Sequence, residues 1–433
     1  MDVFLLLIRL RNLTKKGGFD ILNTKIECKE SAVRILSVTA QKVDSTGSGV
    51  YLTELVKGFD KAGHDQAVIC GTVWGDVINL PENVTVYPVF YQSEELPFPI
   101  CGMSDEMPYE STRYCDLTDE MTDQLFAAFR CRVRDAVEEF KPDVILCHHL
   151  YFLAALVRME YPEIPVYGQC HGSDLRQFKK NHWQHALIYS QISRLNGIFA
   201  LHQEQKQMIC EIYGVPEKMV TVIGTGYNSD VFRIHQEIKA VEREKIRLIF
   251  VGKISEKKGV LSLLRAMQYL QWPDQYELYL AGGYGNEAEF EKIRQLALVA
   301  PCYVEFLGRL DHNTLARELN KSDIFILPSF YEGLPLVLIE AMACGLHAIC
   351  TDLPGIKPWL NNAIPRNGVQ FVRPPEMRNE DEPIPESLPD FEKRLAAAIQ
   401  TVLWNPEADQ KRVRSVSWDA LCSRICSIWD FNS

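Results

Sequence analysis

Residues 331–345 read YEGLPLVLIEAMACG, and they follow an apolar run, Ile324–Leu327, that stops at Pro328. The run predicts a short buried strand. Residues 331–345 predict a polar turn and then a helix. Pro335 stands at the first helical position, where a missing N–H costs nothing, and Val337, Leu338, Ala341 and Met342 supply apolar faces. Gly345 fits the left-handed position just past the helix end. A strand therefore feeds a helix through a tight loop. The loop carries Glu332 and the helix carries Glu340. Unpaired N–H groups at a helix start attract anions. A carboxylate about one turn further in can accept hydrogen bonds from hydroxyls beyond the anion. Phosphate on the helix end and ribose on Glu340 would suit a nucleoside diphosphate. An amphipathic helix with two solvated glutamates would give the same local pattern, since strand–loop–helix units are common.

The remaining composition sets bounds. The 433 residues suffice for two or three domains, and 47% hydrophobic with 24% charged residues describes an ordinary globular protein. A net charge of −11 argues against nucleic acid or an anionic membrane as the general partner. The 13 cysteines are scattered without a CxxC pair or zinc-ligand spacing, as expected of small core residues in a reducing cytosol. No apolar run approaches the ~20 residues of a membrane span, so a cytoplasmic location is expected. Residues 1–32 read as an extension outside the folded part. The apolar stretch 3–8 is followed, not preceded, by Arg9, Arg11, Lys15 and Lys16, the wrong order for a signal segment.

From residue 33 onward, strands and helices alternate twice. In the first half, strands are predicted at 33–38, 66–70, 84–89, 144–149, 166–170, 197–202 and 220–223, with helices at 50–62, 118–140 and 203–213. Residues 44–49, DSTGSG, form a turn between the first strand and helix, where glycines allow close approach of a phosphate or simply make the turn. Residues 91–118 form a long aperiodic stretch, functional or disordered. His148, His149 and His171 sit at strand ends, where ligands collect in open parallel sheets, and His148 and His149 read as hydrogen-bonded structural histidines. The basic stretch 176–185 fits a solvated helix face, or contact with an anionic acceptor such as a sugar or lipid phosphate. A charged segment, 235–245, suits a linker. The second half repeats the alternation, with strands at 246–251, 324–327, 347–351 and 368–372. An acidic, Pro-rich surface loop is expected at 374–389 and a last amphipathic helix at 418–429.

Several of these strings resemble one family. The Glu332…Glu340 spacing resembles the Glu-x7-Glu signature of the family 4 (GT4) retaining glycosyltransferases, glycosyltransferase group 1, which have the GT-B fold. His171-Gly172-Ser173-Asp174 resembles that family's His-Gly-x-Asp motif, and residues 252–259, GKISEKKG, its Gly-Arg-Leu-x-x-x-Lys-Gly motif, with Lys253 for the usual arginine. Residues 224–232 resemble its domain-crossing segment, with Thr225 and Asn228 in place of the common Asn and Asp. The resemblance runs from about residue 33 to 429.

It implies an α/β protein with two doubly wound, Rossmann-like parallel-sheet domains facing a cleft. The acceptor-side domain would span 33–235, the nucleotide-sugar domain 246–414, and 415–433 would cross back to the first domain. It also implies roles. Lys253 and Lys258 would hold the donor diphosphate, and Glu340 the ribose. Glu332 and His171 would contact the sugar, and Gly47 and Gly49 would allow close approach. Arg309 and Leu310 would meet the nucleobase, and Gly333, Leu334, Pro335 and Leu336 would form the phosphate-side loop. The expected partners are a nucleotide-sugar donor, UDP-linked, and a small-molecule, glycan or lipid-linked acceptor. No metal or other cofactor is expected, since no Asp-x-Asp pair stands at a strand end. The rival readings are a sugar phosphorylase or nucleotide-sugar epimerase on the same fold, and a non-catalytic nucleotide-binding scaffold.

Overall fold

The computed structural model describes residues 32–104, 107–239, 243–379 and 381–429. The expected extension thus lies almost wholly outside the described residues, as does part of the expected linker.

The N-terminal lobe runs β1 (Arg34–Val38), α1 (Gly47–Lys61), β2 (Asp65–Thr72), β3 (Thr85–Phe90), β4 (Cys101–Gly102), β5 (Thr112–Arg113), α2 (Asp119–Phe140), β6 (Val144–His148), α3 (Phe152–Glu160), β7 (Val166–Gln169), α4 (Ser173–Lys180), α5 (His185–Ile192), β8 (Gly197–Ala200), α6 (Gln203–Tyr213) and β9 (Val220–Val222). After α7 (Gln236–Lys239) the C-terminal lobe runs β10 (Ile246–Val251), α8 (Val260–Ala266), β11 (Tyr276–Ala281), α9 (Glu287–Leu298), β12 (Tyr303–Gly308), α10 (His312–Asn320), β13 (Ile324–Leu327), α11 (Leu336–Ala343), β14 (His347–Thr351), α12 (Ile356–Ala363), β15 (Gln370–Val372) and α13 (Leu388–Thr401). The chain then forms α14 (Gln410–Arg414) and α15 (Trp418–Ile428).

Two large parallel sheets result, ordered β3-β2-β1-β6-β7-β8-β9 and β12-β11-β10-β13-β14-β15, and β4 pairs with β5 in a small third one. In each large sheet, the first strand lies inside and the order reverses beside it. Crevices open at such reversals, beyond the carboxyl ends of the strands. The reversals fall after β1 and β6 in one lobe, and after β10 and β13 in the other.

Each lobe has its own core, and a further apolar cluster crosses between them. Tyr51, Leu55 and Phe59 of α1 join Leu338, Ile339 and Met342 of α11 and Trp418, Leu421 and Ile425 of α15. Helix α15 lies against α1, where Cys422 Sγ reaches the Leu55 carbonyl and Lys61 pairs with Asp419 at 2.7 Å. The described residues of the aperiodic stretch 91–118 are shared between the core and the cleft. Leu96, Phe98, Ile100 and Tyr114 are buried in the N-lobe core, and Met103, Ser104, Met107 and Tyr109 are left at the cleft. The basic stretch 176–185 divides in the same way. Trp183 packs on Tyr114 and donates to Thr122 Oγ1 at 2.9 Å, and the His185 ring stacks on Phe178. Lys179 and His182 are exposed or at the surface edge, and Arg176 turns into the cleft.

Candidate active site

The loop after β1 sets the first wall. Thr46 caps α1 by accepting from Gly49 N at 3.1 Å, so Gly47, Ser48 and Gly49 form the first helical turn. The sequence placed them in a turn ahead of a helix beginning at 50; the cap draws them in. Gly47 lines the cleft with no atom within 4 Å of where its Cβ would stand. Gly49 does not line it. A Cβ there would lie 2.7 Å from the Lys42 carbonyl, so this glycine closes the loop onto the helix. Close approach to a ligand is not its task.

The ends of β6 and β7 supply the second wall. His148 Nδ1 and His171 Nε2 are 3.1 Å apart in near-parallel rings, with the Tyr51 ring edge-on to both. Burial, with a neighbouring imidazole, pushes His148 down to about 3. Burial and two neighbouring imidazoles hold His171 well below the usual range. Both rings are therefore neutral at neutral pH. Asp174 is buried, and its Oδ2 accepts from Leu150 N at 2.8 Å and His171 N at 3.3 Å. Its carboxylate holds the motif loop in place.

The C-lobe supplies the facing walls. Gly259 caps α8 at φ +73°, and a Cβ there would collide with the Pro328 carbonyl. That close approach, fastened by Phe330 N donating to the Lys257 carbonyl at 3.0 Å, brings two loops together. Lys258 Nζ then meets Glu332 Oε1 at 2.7 Å. Lys253 lies over Gly285, and Arg309 over Gly283, where a side chain on either glycine would obstruct them.

Helix α11 starts one residue later than predicted. Pro335 takes the cap position in extended backbone (φ −73°, ψ 109°) and Leu336 is the first helical residue. The Leu336 and Val337 N–H groups have no acceptor among the described residues. The helix ends as expected. Gly345 is at φ +76°, and the Gly345 and Leu346 N–H groups return to the Met342 and Ala341 carbonyls. Glu340, one turn in, is pushed up to about 8 by burial, with the Glu54 carboxylate of α1 adding to the effect.

These walls enclose a cavity of about 1030 Å³. Of the residues expected there, Gly47, His171, Lys253, Lys258, Arg309, Glu332, Gly333, Leu334, Pro335, Leu336 and Glu340 line it. Leu310 does not, because it packs against the apolar cluster shared by the lobes. Sequence reasoning missed other contributors. Tyr51, Thr225 and Tyr331 also line the cavity. Arg176, for which the basic stretch left open a contact with an anionic acceptor, lines it too, its guanidinium 5.5 Å above the Tyr331 ring.

A family model described as Glycosyltransferase Family 4 matches residues 45–231, and one described as Glycosyl transferases group 1 matches residues 231–380. The chain belongs to the family 4, group 1 glycosyltransferases. The two matches divide this group 1 glycosyltransferase where its two sheets divide. An uncharacterised glycosyltransferase of Methanocaldococcus jannaschii is 27% identical over 251 residues, which cover 53% of this chain and 62% of that relative. The chain thus spans less than two thirds of that relative's length. Sucrose-phosphate synthase from Thermosynechococcus elongatus has a similar structure, with a TM-score of 0.66 at 16% identity over 92% of this chain and 98% of that one. So has Anabaena HepE in complex with UDP and glucose, with a TM-score of 0.61 at 14% identity over 92% and 99%. At such identities the likeness establishes the fold, GT-B, with its two doubly wound α/β lobes.

Proposed function

We propose that this family 4 glycosyltransferase moves a hexose from a UDP-linked donor to an acceptor hydroxyl with retention of anomeric configuration and without a metal ion. The observation that carries the reading is the convergence of Lys253, Lys258 and the open start of α11 on one side of the cleft, facing His171 and Gly47 on the other. Cations and helix N–H groups aimed at one place suit a diphosphate leaving group, whose charge grows in the transition state. The UDP bound by the similar Anabaena protein supports the choice of nucleotide.

In this reading Glu340 accepts hydrogen bonds from the ribose hydroxyls. Lys258 leaves Glu332 for a diphosphate oxygen, and Glu332 turns to a sugar hydroxyl. Neutral His171, backed by His148, positions the sugar. A double displacement needs a carboxylate opposite the leaving group. Glu340 is taken by the ribose, Glu332 lies on the phosphate side, and Asp174 is occupied with its loop. Retention then proceeds by front-face attack. The C–O bond to the diphosphate breaks as the acceptor oxygen bonds to the anomeric carbon, and the acceptor proton passes to the departing phosphate oxygen.

The test is acceptor-dependent UDP release, with the anomer of early product read by proton NMR. A retained anomer is expected. An inverted linkage removes the mechanism, and a glycosylated Asp or Glu in a peptide digest removes the front-face route. UDP release that ignores the acceptor removes the transferase reading.

A further inference from the structure

The β6–β7 ladder sets His148 beside Gln169, and the chain reaches His171 just past that strand end. His148 Nδ1 and His171 Nε2 then lie 3.1 Å apart. Ring nitrogens that close share one proton, since two protons would collide and none would oppose two lone pairs. Both rings are held neutral, so each carries one proton in all. The two tautomers are therefore locked to each other. If His148 donates from Nδ1, its Nε2 is bare and His171 carries its proton on Nδ1. If His171 donates from Nε2, its Nδ1 is bare and His148 carries a proton on Nε2.

The surroundings of His148 favour the first state. His148 is 2% exposed, and its Nε2 is buried with no hydrogen-bond partner among the described residues. A proton there would make a buried donor without an acceptor, which folded proteins avoid more strictly than an unpaired acceptor. On His171, Nε2 is occupied by the contact with His148, and the residue lines the cavity. Its Nδ1 is the nitrogen left for a ligand. Tyr51 packs edge-on against both rings and holds the pair in place.

We propose that His148 is a positioning residue for the transferred sugar: it fixes His171 as a donor, with Nδ1–H turned to the cleft, so that a sugar hydroxyl binds there through its lone pair. The sugar rests on the glycosyltransferase reading; the tautomer does not. A hydroxyl held in this way keeps its own O–H for a carboxylate such as Glu332, which only accepts. With the opposite tautomer, His171 and Glu332 would both be acceptors, and one hydroxyl could serve only one of them.

The experiment reads the ring nitrogens by NMR in the full chain carrying isotope-labelled histidine, each signal being assigned by its loss in His148→Leu or His171→Asn. A protonated Nδ1 and a bare Nε2 are expected on both residues, and a proton on His171 Nε2 overturns the proposal. Calorimetry with UDP and with UDP-glucose then tests the positioning role. In His148→Leu the ratio of UDP-glucose to UDP affinity is expected to fall by about three- to tenfold, the scale of one hydrogen bond. His148→Asn, whose amide N–H can donate from near the place of Nδ1, should restore most of that ratio. An unchanged ratio in His148→Leu, or equal losses for both ligands, reduces His148 to a structural histidine and overturns the proposal. Failure of the natural chain to bind either nucleotide removes the glycosyltransferase reading, and with it the sugar, whichever tautomer the NMR shows.

Discussion

Glu340 meets two opposing demands. Burial in the cleft wall and the nearby Glu54 of α1 favour its neutral form, with a pKa of about 8, while ribose hydroxyls donating to it, as proposed, would favour the carboxylate. A folded pKa above the unfolded value of about 4.3 means stability that is fully present below that value and lost as pH rises through about 8. Glu340→Gln is therefore expected to melt above the natural chain at pH values near 8 and level with it below about 4.3. Calorimetry across that window checks the sign. UDP binding should strengthen as pH rises through the same range, and this dependence should flatten in Glu340→Gln. Glu340→Ala should weaken UDP by about ten- to a hundredfold, the loss of a charge-assisted hydrogen bond of about 1.5–3 kcal/mol. In the proposed reaction Lys258 acts on the leaving group, so Lys258→Ala is expected to lower kcat more than it raises KM, and activity should persist in EDTA. A KM effect alone, or activity restored only by manganese, would contradict this. Motif residues such as His171, Lys258 and the two glutamates were legible in the sequence because short fixed spacings carry them. His148 was read only as a structural histidine, since its contact with His171 depends on the pairing of β6 with β7, across 23 residues.

At the scale of elements, α1 contains a glycine where helix propensity disfavours one. Gly58→Ala in a helix interior ordinarily stabilises by roughly 0.5–1 kcal/mol. Here the new Cβ would stand 2.5 Å from Cys422 Sγ of α15, and overpacking of that kind costs roughly 1–3 kcal/mol. The clash should win, and Gly58→Ala should lower the melting temperature. In a Cys422→Ala background the nearest remaining α15 side-chain atom is Cβ, 3.6 Å away, so the same substitution should become neutral or stabilising. A double-mutant cycle reads the reversal, and parallel losses in both backgrounds would deny the contact. Strands were the best-read elements, because β10, β13 and β14 are apolar runs buried on both faces. Helix starts were less legible. The first turn of α1 was displaced by three residues, because the Thr46 side-chain cap that decides it is not revealed by periodicity, and the start of α11 by one, because Pro335 keeps extended backbone.

Over the whole molecule, α15 ties the lobes together. Trp418, Leu421, Cys422 and Ile425 are buried in the cluster that both lobes share, each worth roughly 1.5–3 kcal/mol of apolar burial. A chain truncated after Val416 should lose several kcal/mol, and its single unfolding transition should divide in two, as seen by calorimetry. A single sharp transition at the natural temperature would show the lobes coupled by other means. The Val33 N–H donates to His64 Nδ1 at 3.3 Å, which puts the imidazole proton on Nε2, 3.4 Å from Cys426 Sγ. The opening strand and closing helix of the described fold thus meet at one imidazole ring. Joining 429 to 33 through a short linker and reopening the chain between β9 and β10 would reverse the order of the lobes along the polypeptide while leaving each sheet whole. A chain permuted in this way is expected to build the same cleft, and an unchanged circular dichroism spectrum with retained UDP binding checks it.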